Sequence, residues 1–261
     1  MKKIYSIIFI FSFYVLNVAA DINKSPNDPR EYATFTLKNG IEVITISDAN
    51  LAVSAATLSV GVGAYQDPEN AQGIAHFLEH MLFLGTEKYP DVDEYSSYLK
   101  THGGYSNAYT ASDHTNYQFQ VLPDGFEGAL DRFSQFFISP LFTEEYTSRE
   151  VNAVNSEHQK NMLNDNWRQF RIASLFAKKG HPERKFGTGN LETLGDITRE
   201  ELIQFYKQHY SANRMGIALL STHSLETMES WCRKYFSLVK NYNLDRNKYD
   251  PKYLEEKETF R

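Results

Sequence analysis

Residues 76–80 read His-Phe-Leu-Glu-His inside the apolar run GIAHFLEHMLFLG, residues 73–85. Ile74, Phe77, Leu78, Met81, Leu82, Phe83 and Leu84 leave this segment no broad polar side. It has to be buried, and buried ionisable groups are costly unless they are paired or bound to a metal. On a helix His76 and His80 are four residues apart and lie on one face, and Glu79, three after His76, reaches the same neighbourhood. The fold must therefore bring another element against this helix that compensates two imidazoles and a carboxylate. A metal cation does so; two core histidines bonded to backbone carbonyls are the other arrangement that would.

The order H-x-x-E-H reverses the commoner H-E-x-x-H and is the inverzincin signature. A catalytic zinc site has three protein ligands and a position left open for water. The stretch REVNAVNSEH, residues 149–158, supplies Glu150 and Glu157 on a helical pattern. Seven residues turn a helix through about 700°, so both carboxylates face the same way. Ala153 and Val154 between them would let this face approach another helix closely. One carboxylate suits a ligand and the other a group that orients a ligand; a solvated acidic stripe would show the same spacing. Spacing alone does not choose between Glu150 and Glu157.

Elsewhere strands and helices mix without strict alternation. ATFTLK and IEVITIS flank Asn39-Gly40, which predicts a hairpin over 33–47 with a tight two-residue turn. Residues 51–64 read as a longer buried strand, and the HFLEH helix is expected from about Pro68 to Leu84, with Gly85 as its stop. Further helices are predicted at about 91–101, 125–138, 144–164, 198–209 and 224–237. Tyr105–Thr110 and Thr115–Val121 form a second hairpin, the latter alternating cleanly, and 214–220 is another strand. Gly180 to Gly195 is rich in Gly, Pro and Asn and reads as a long loop. After Val239 the chain is polar, so 241–261 reads as a linker or tail. The expected fold is α+β, a mostly antiparallel sheet packed with helices.

HFLEH followed by REVNAVNSEHQKN closely resembles the insulinase/pitrilysin family of zinc metallopeptidases, and LGTEKYPD (84–91), YSNAYTASDHTNY (105–117) and HPERKFGTGNLETL (181–194) match as well. The resemblance implies an αβ-roll domain over about residues 21–240 and a Zn²⁺ held by His76, His80 and Glu157. It makes Glu79 the general base and Glu150 a carboxylate beside the site. It also implies a peptide substrate that adds as a strand at Ser106-Asn107-Ala108-Tyr109, with Asn107 and Ala108 in contact; Tyr109 is given no role. The expected activity is zinc-dependent hydrolysis of extended peptides. A non-catalytic zinc-binding scaffold or subunit is the alternative, disfavoured because all four residues are present. Pitrilysin-type relatives resemble four such domains closing as two halves, and only the first is matched here. A second-half domain or a partner chain is therefore expected to supply the opposite wall.

Lys2-Lys3, the apolar run Ile4–Leu16 and Val18-Ala19-Ala20 read as a signal peptide over residues 1–20 cleaved after Ala20. That predicts a periplasmic or secreted protein without a stable membrane anchor after cleavage. The segment carries two of the 27 Lys and Arg and none of the 33 Asp and Glu, which leaves a net charge of −8. Such a balance argues against a nucleic-acid partner. Cys232 is the single cysteine, so no internal disulfide forms; beside Trp231 it reads as a small buried hydrophobe. His158 is rotated about 100° from Glu157. It and His102, His114, His181, His209 and His223, without paired ligand spacing, are read as surface or packing residues.

Overall fold

The computed structural model describes residues 22–254. Residues 1–20, read as a signal peptide, lie outside the described residues. Six strands form one sheet: β1 (Glu31–Thr36), β2 (Glu42–Ser47), β3 (Ser54–Val60), β4 (Tyr105–Thr110), β5 (Thr115–Val121) and β6 (Met215–Ser221), in the order β1-β2-β6-β3-β5-β4. Every neighbouring pair is antiparallel except β2 with β6. The α+β reading holds, and β6 from the far end of the chain sits between β2 and β3. Alternation explains the core. Ala56, Leu58 and Val60 of β3, Tyr117, Phe119 and Val121 of β5, and Met215, Ile217 and Leu219 of β6 are buried, as the side-chain period of two requires for one covered face.

Among the described residues the α-helices are α1 (Ile74–Met81), α2 (Glu94–Thr101), α3 (Phe126–Gln135), α4 (Glu144–Asn161), α5 (Asp165–Leu175), α6 (Leu191–Leu194), α7 (Arg199–His209) and α8 (Leu225–Tyr235). Phe77, Leu78, Met81, Phe126, Phe133 and Phe236 are fully buried and, with the strand residues, form one hydrophobic cluster.

Three local expectations are corrected. The first hairpin turns through three residues, Lys38 to Gly40: Leu37 N–H donates to Ile41 O at 2.9 Å and Gly40 N–H to Leu37 O at 2.9 Å. Gly40 lies at φ +94°, which is the glycine position of a three-residue loop with a bulge. Helix α1 begins at Ile74, not near Pro68, because Gly73 at φ +97° breaks the helical path just before it. Helix α5 has no counterpart in the sequence reading. Leu163, Trp167, Phe170, Ile172 and Leu175 along this segment are exposed, so it lacks the one-sided burial that periodicity detects.

The Gly180–Gly195 segment is mostly loop, with a 3₁₀ turn at Pro182–Arg184 and the four residues of α6. The polar segment after Val239 is tied to the body. Ala212 N–H donates to Lys240 O at 2.9 Å, Asn247 Nδ2 to Gly61 O at 2.9 Å and Lys178 N–H to Tyr253 O at 2.7 Å.

Candidate metal centre

The amphipathic segment 74–81 forms α1 because its start is fixed from outside. Asp67 is buried, and its carboxylate accepts from Gly73 N–H at 2.7 Å and Ala75 N–H at 3.0 Å, satisfying helix donors that otherwise lack partners. Burial pushes the Asp67 carboxyl up to about 7, against the two N–H groups and the Lys185 charge. Lys185 Nζ donates to the carbonyls of Tyr65 and Asp67. Gly73 also lets another chain segment pass: a Cβ there would lie 2.3 Å from Gly189 Cα. That approach brings the carbonyl of Thr188 within 2.7 Å of His76 Nδ1.

Helix α4 packs against α1 and carries both expected carboxylates. Glu157 Oε2 lies 3.5 Å from His76 Nε2 and 3.7 Å from His80 Nε2. Glu150 Oε2 lies 3.2 Å from His80 Nδ1. The three donors of His76, His80 and Glu157 fall within 4.8 Å of one another. Bonds of 2.0–2.1 Å in a tetrahedral zinc site separate ligand atoms by about 3.3 Å, so the donor set fits zinc in type, and the two Glu157–imidazole distances lie near that spacing. Each imidazole has its Nδ1 occupied, by the Thr188 carbonyl or the Glu150 carboxylate, and turns Nε2 towards Glu157. This outer hydrogen bonding fixes ring orientation in metal sites.

The carboxylates act directly on the imidazoles. Burial pulls the His80 imidazole down, but the carboxylates of Glu150, Glu157 and Glu79 outweigh it and hold it at about 9. The contact with His80 lowers Glu157. Glu79 stands apart from the converging donors. It is only 6% exposed, and its Oε2 accepts from Thr110 Oγ1 at 2.6 Å. Burial pushes its carboxyl up, against the pull of His76, Thr110 and His80.

These residues line an open cleft of about 1690 Å³, whose wall also includes Ser106, Asn107, Ala108 and Tyr109 of β4. Strand β4 is an edge strand of the sheet, and among the described residues it pairs only with β5, so its other edge is unpaired there. His76, Glu79, His80, Glu150, Glu157, Asn107 and Ala108 thus line one cleft. Sequence reasoning missed Asp67, Thr110 and Thr188. Thr188 acts through its backbone carbonyl, which no side-chain pattern reports. Thr110 sits in an alternating strand where a hydroxyl reads as solvent-facing. His158, set aside earlier, packs its ring on Phe186 at 4.9 Å.

A sheet-and-helix domain that aims two histidines of an H-x-x-E-H helix at a glutamate from a second helix defines an inverted-motif metallopeptidase domain. The chain belongs to the insulinase family, peptidase family M16, whose model matches residues 42–179. Residues 196–260 match the M16 inactive domain. The chain is 47% identical over 237 residues to insulin-degrading enzyme of Homo sapiens, covering 88% of this chain and 23% of that one. It is 46% identical over 228 residues to the A-factor-processing enzyme of Saccharomyces cerevisiae, covering 85% and 22%. The crystal structure of pitrilysin superposes with a TM-score of 0.86 at 36% identity, over 90% of this chain and 25% of that one. The chain therefore spans about a quarter of the length of these relatives.

Proposed function

We propose that this chain carries the metal centre of a zinc-dependent endopeptidase acting on extended peptides. The observation that carries this reading is the separation of roles within one cleft: three donor atoms converge from two helices, while Glu79 stays outside that cluster, buried and hydrogen-bonded. His76, His80 and Glu157 hold the zinc, and Glu150 orients His80. When bound, zinc supplies a Lewis acid that polarises oxygen and brings the acidity of water towards neutral pH.

Glu79 is the general base. Its Oε2 is engaged by Thr110, which leaves Oε1 to take a proton from the attacking water and return it to the leaving amine. The unpaired edge of β4 at Asn107 and Ala108 holds the peptide as an added strand through main-chain hydrogen bonds. A second-half domain or partner chain covers the open side of the cleft, a role supported by the larger size of the relatives.

Zinc analysis of the purified chain, with a peptide assay, tests this reading. About one Zn²⁺ per chain is expected for one three-ligand site. Glu79→Gln should keep the metal and lose hydrolysis, whereas Glu157→Gln should lose the metal. The reverse pattern would refute the assignment of ligand and base.

Export is part of the same proposal, with residues 1–20 as the signal and residues 21–240 as the peptidase domain ahead of a polar linker. Mass spectrometry of exported material should find Asp21 at the N-terminus; a membrane-bound form that retains Met1 overturns it.

A further inference from the structure

Thr110 closes strand β4, the edge strand, and pairs with Thr115 across the hairpin. Its hydroxyl has one proton to give. Thr115 Oγ1 lies 3.5 Å away and already donates to Val62 O at 2.8 Å, whereas Glu79 Oε2 lies at 2.6 Å. The proton therefore goes to Glu79. On the neighbouring strand β5 the fully buried Tyr117 hydroxyl meets that of Tyr210 at 2.7 Å. A buried carboxylate is held more firmly by a hydroxyl donor than the same pair would be in water. The bond also joins two elements with different tasks: α1 carries the base, and β4 presents the free edge two residues away, at Ala108.

We infer that Thr110 is a positioning residue that fixes the Glu79 carboxylate to strand β4, so that a peptide docked along β4 and the base share one register. The inference rests on the functional reading above, in which Glu79 is the base and β4 the docking edge. Oε1 is then the oxygen presented to the reacting water, and its orientation is set by the strand that holds the substrate.

The test uses the full chain with Thr110→Val, which keeps the branched shape and removes the donor, and with Thr110→Ser, which keeps the donor. Each is also made in a Glu79→Gln background. Two readouts are taken on zinc-loaded protein: the affinity for acetohydroxamate, which needs no turnover, and kcat and KM for a fluorogenic peptide. Thr110→Val should retain zinc, bind the hydroxamate about tenfold more weakly and lose about tenfold in kcat with KM unchanged, as expected for one hydrogen bond to a charged group. Thr110→Ser should restore both; in the Glu79→Gln background, which lacks hydrolysis, Thr110→Val should leave the hydroxamate affinity unchanged. Hydroxamate affinity decides if cleavage by any variant is too slow to measure.

A chain that binds zinc and depends on Glu79, yet is indifferent to Thr110→Val, overturns the inference alone. So does an equal loss in the Glu79→Gln background, or a failure of Ser to rescue. A wild-type chain that holds no zinc, or that hydrolyses peptides unchanged as Glu79→Gln, overturns the functional reading and the inference with it.

Discussion

His80 and Glu150 face each other at 3.2 Å, with imidazole Nδ1 against carboxylate Oε2 and Nε2 turned towards Glu157. Glu150 meets the cluster through this ring and lies outside the converging donor set; under the proposed function it orients His80. Its removal should weaken metal binding without ending it. Glu150→Gln is expected to bind zinc at unchanged stoichiometry with affinity about 10–100-fold lower, read by competition with a chelator. His76→Ala should abolish stoichiometric binding under the same conditions.

Gly73 is fixed on two counts, its φ of +97° and the close approach of Gly189. Gly73→Ala should destabilise the fold by about 1–3 kcal/mol or more from backbone strain. Because the displaced segment includes Thr188, zinc affinity should fall as well. Gly180→Ala is a useful control: it shares a positive φ, +84°, but a Cβ there meets nothing within 4 Å, so it should lose stability without losing zinc affinity. Urea unfolding and zinc titration of both variants separate strain from site geometry.

His209 gives the pH dependence a definite sign. Its Nδ1 is buried without a hydrogen-bond partner. Burial, helped by the nearby Arg214 charge, lowers its pKa from 6.5 to about 4. The unfolded chain then binds more protons than the folded one between these values. The stability contributed is present above about 6.5 and is lost as pH falls towards 4. Relative to His209→Phe, the wild type should lose about 1–2 kcal/mol between neutral pH and pH ~4.5, allowing for screening of a partly exposed ring. Urea midpoints at the two pH values check this, and a constant difference between the two proteins contradicts it.

The metal donors line an open cleft, and Glu157 has 39% of its side chain exposed. Catalysis at such a site needs water excluded and the scissile bond held, and positioning accounts for several orders of magnitude in rate. The oxyanion donors that supply a further large term are not evident among the described residues. The 261-residue chain should therefore fold and bind zinc but turn peptides over slowly, and faster once a chain resembling the remaining part of its relatives is added. Rapid hydrolysis by a verified monomer, abolished in Glu79→Gln, contradicts this.

The sequence by itself determined the ionisable face of α1, the seven-residue spacing of Glu150 and Glu157 on α4, and the alternating strands. All three are consequences of helix or strand period within one segment. It could not choose between the two carboxylates, because seven residues of helix place both on one face and only the packing of α4 against α1 gives them different distances from the imidazoles. Helix α5 escaped because its apolar side chains are exposed and leave no one-sided pattern. Asp67, Thr110 and Thr188 became part of the site through contacts across 8, 31 and 112 residues of chain. Asp67 accepts two hydrogen bonds, and Thr110 and Thr188 each make one to the site, the last through a backbone carbonyl. Such bonds have no period and no residue signature, so only the tertiary structure could decide them.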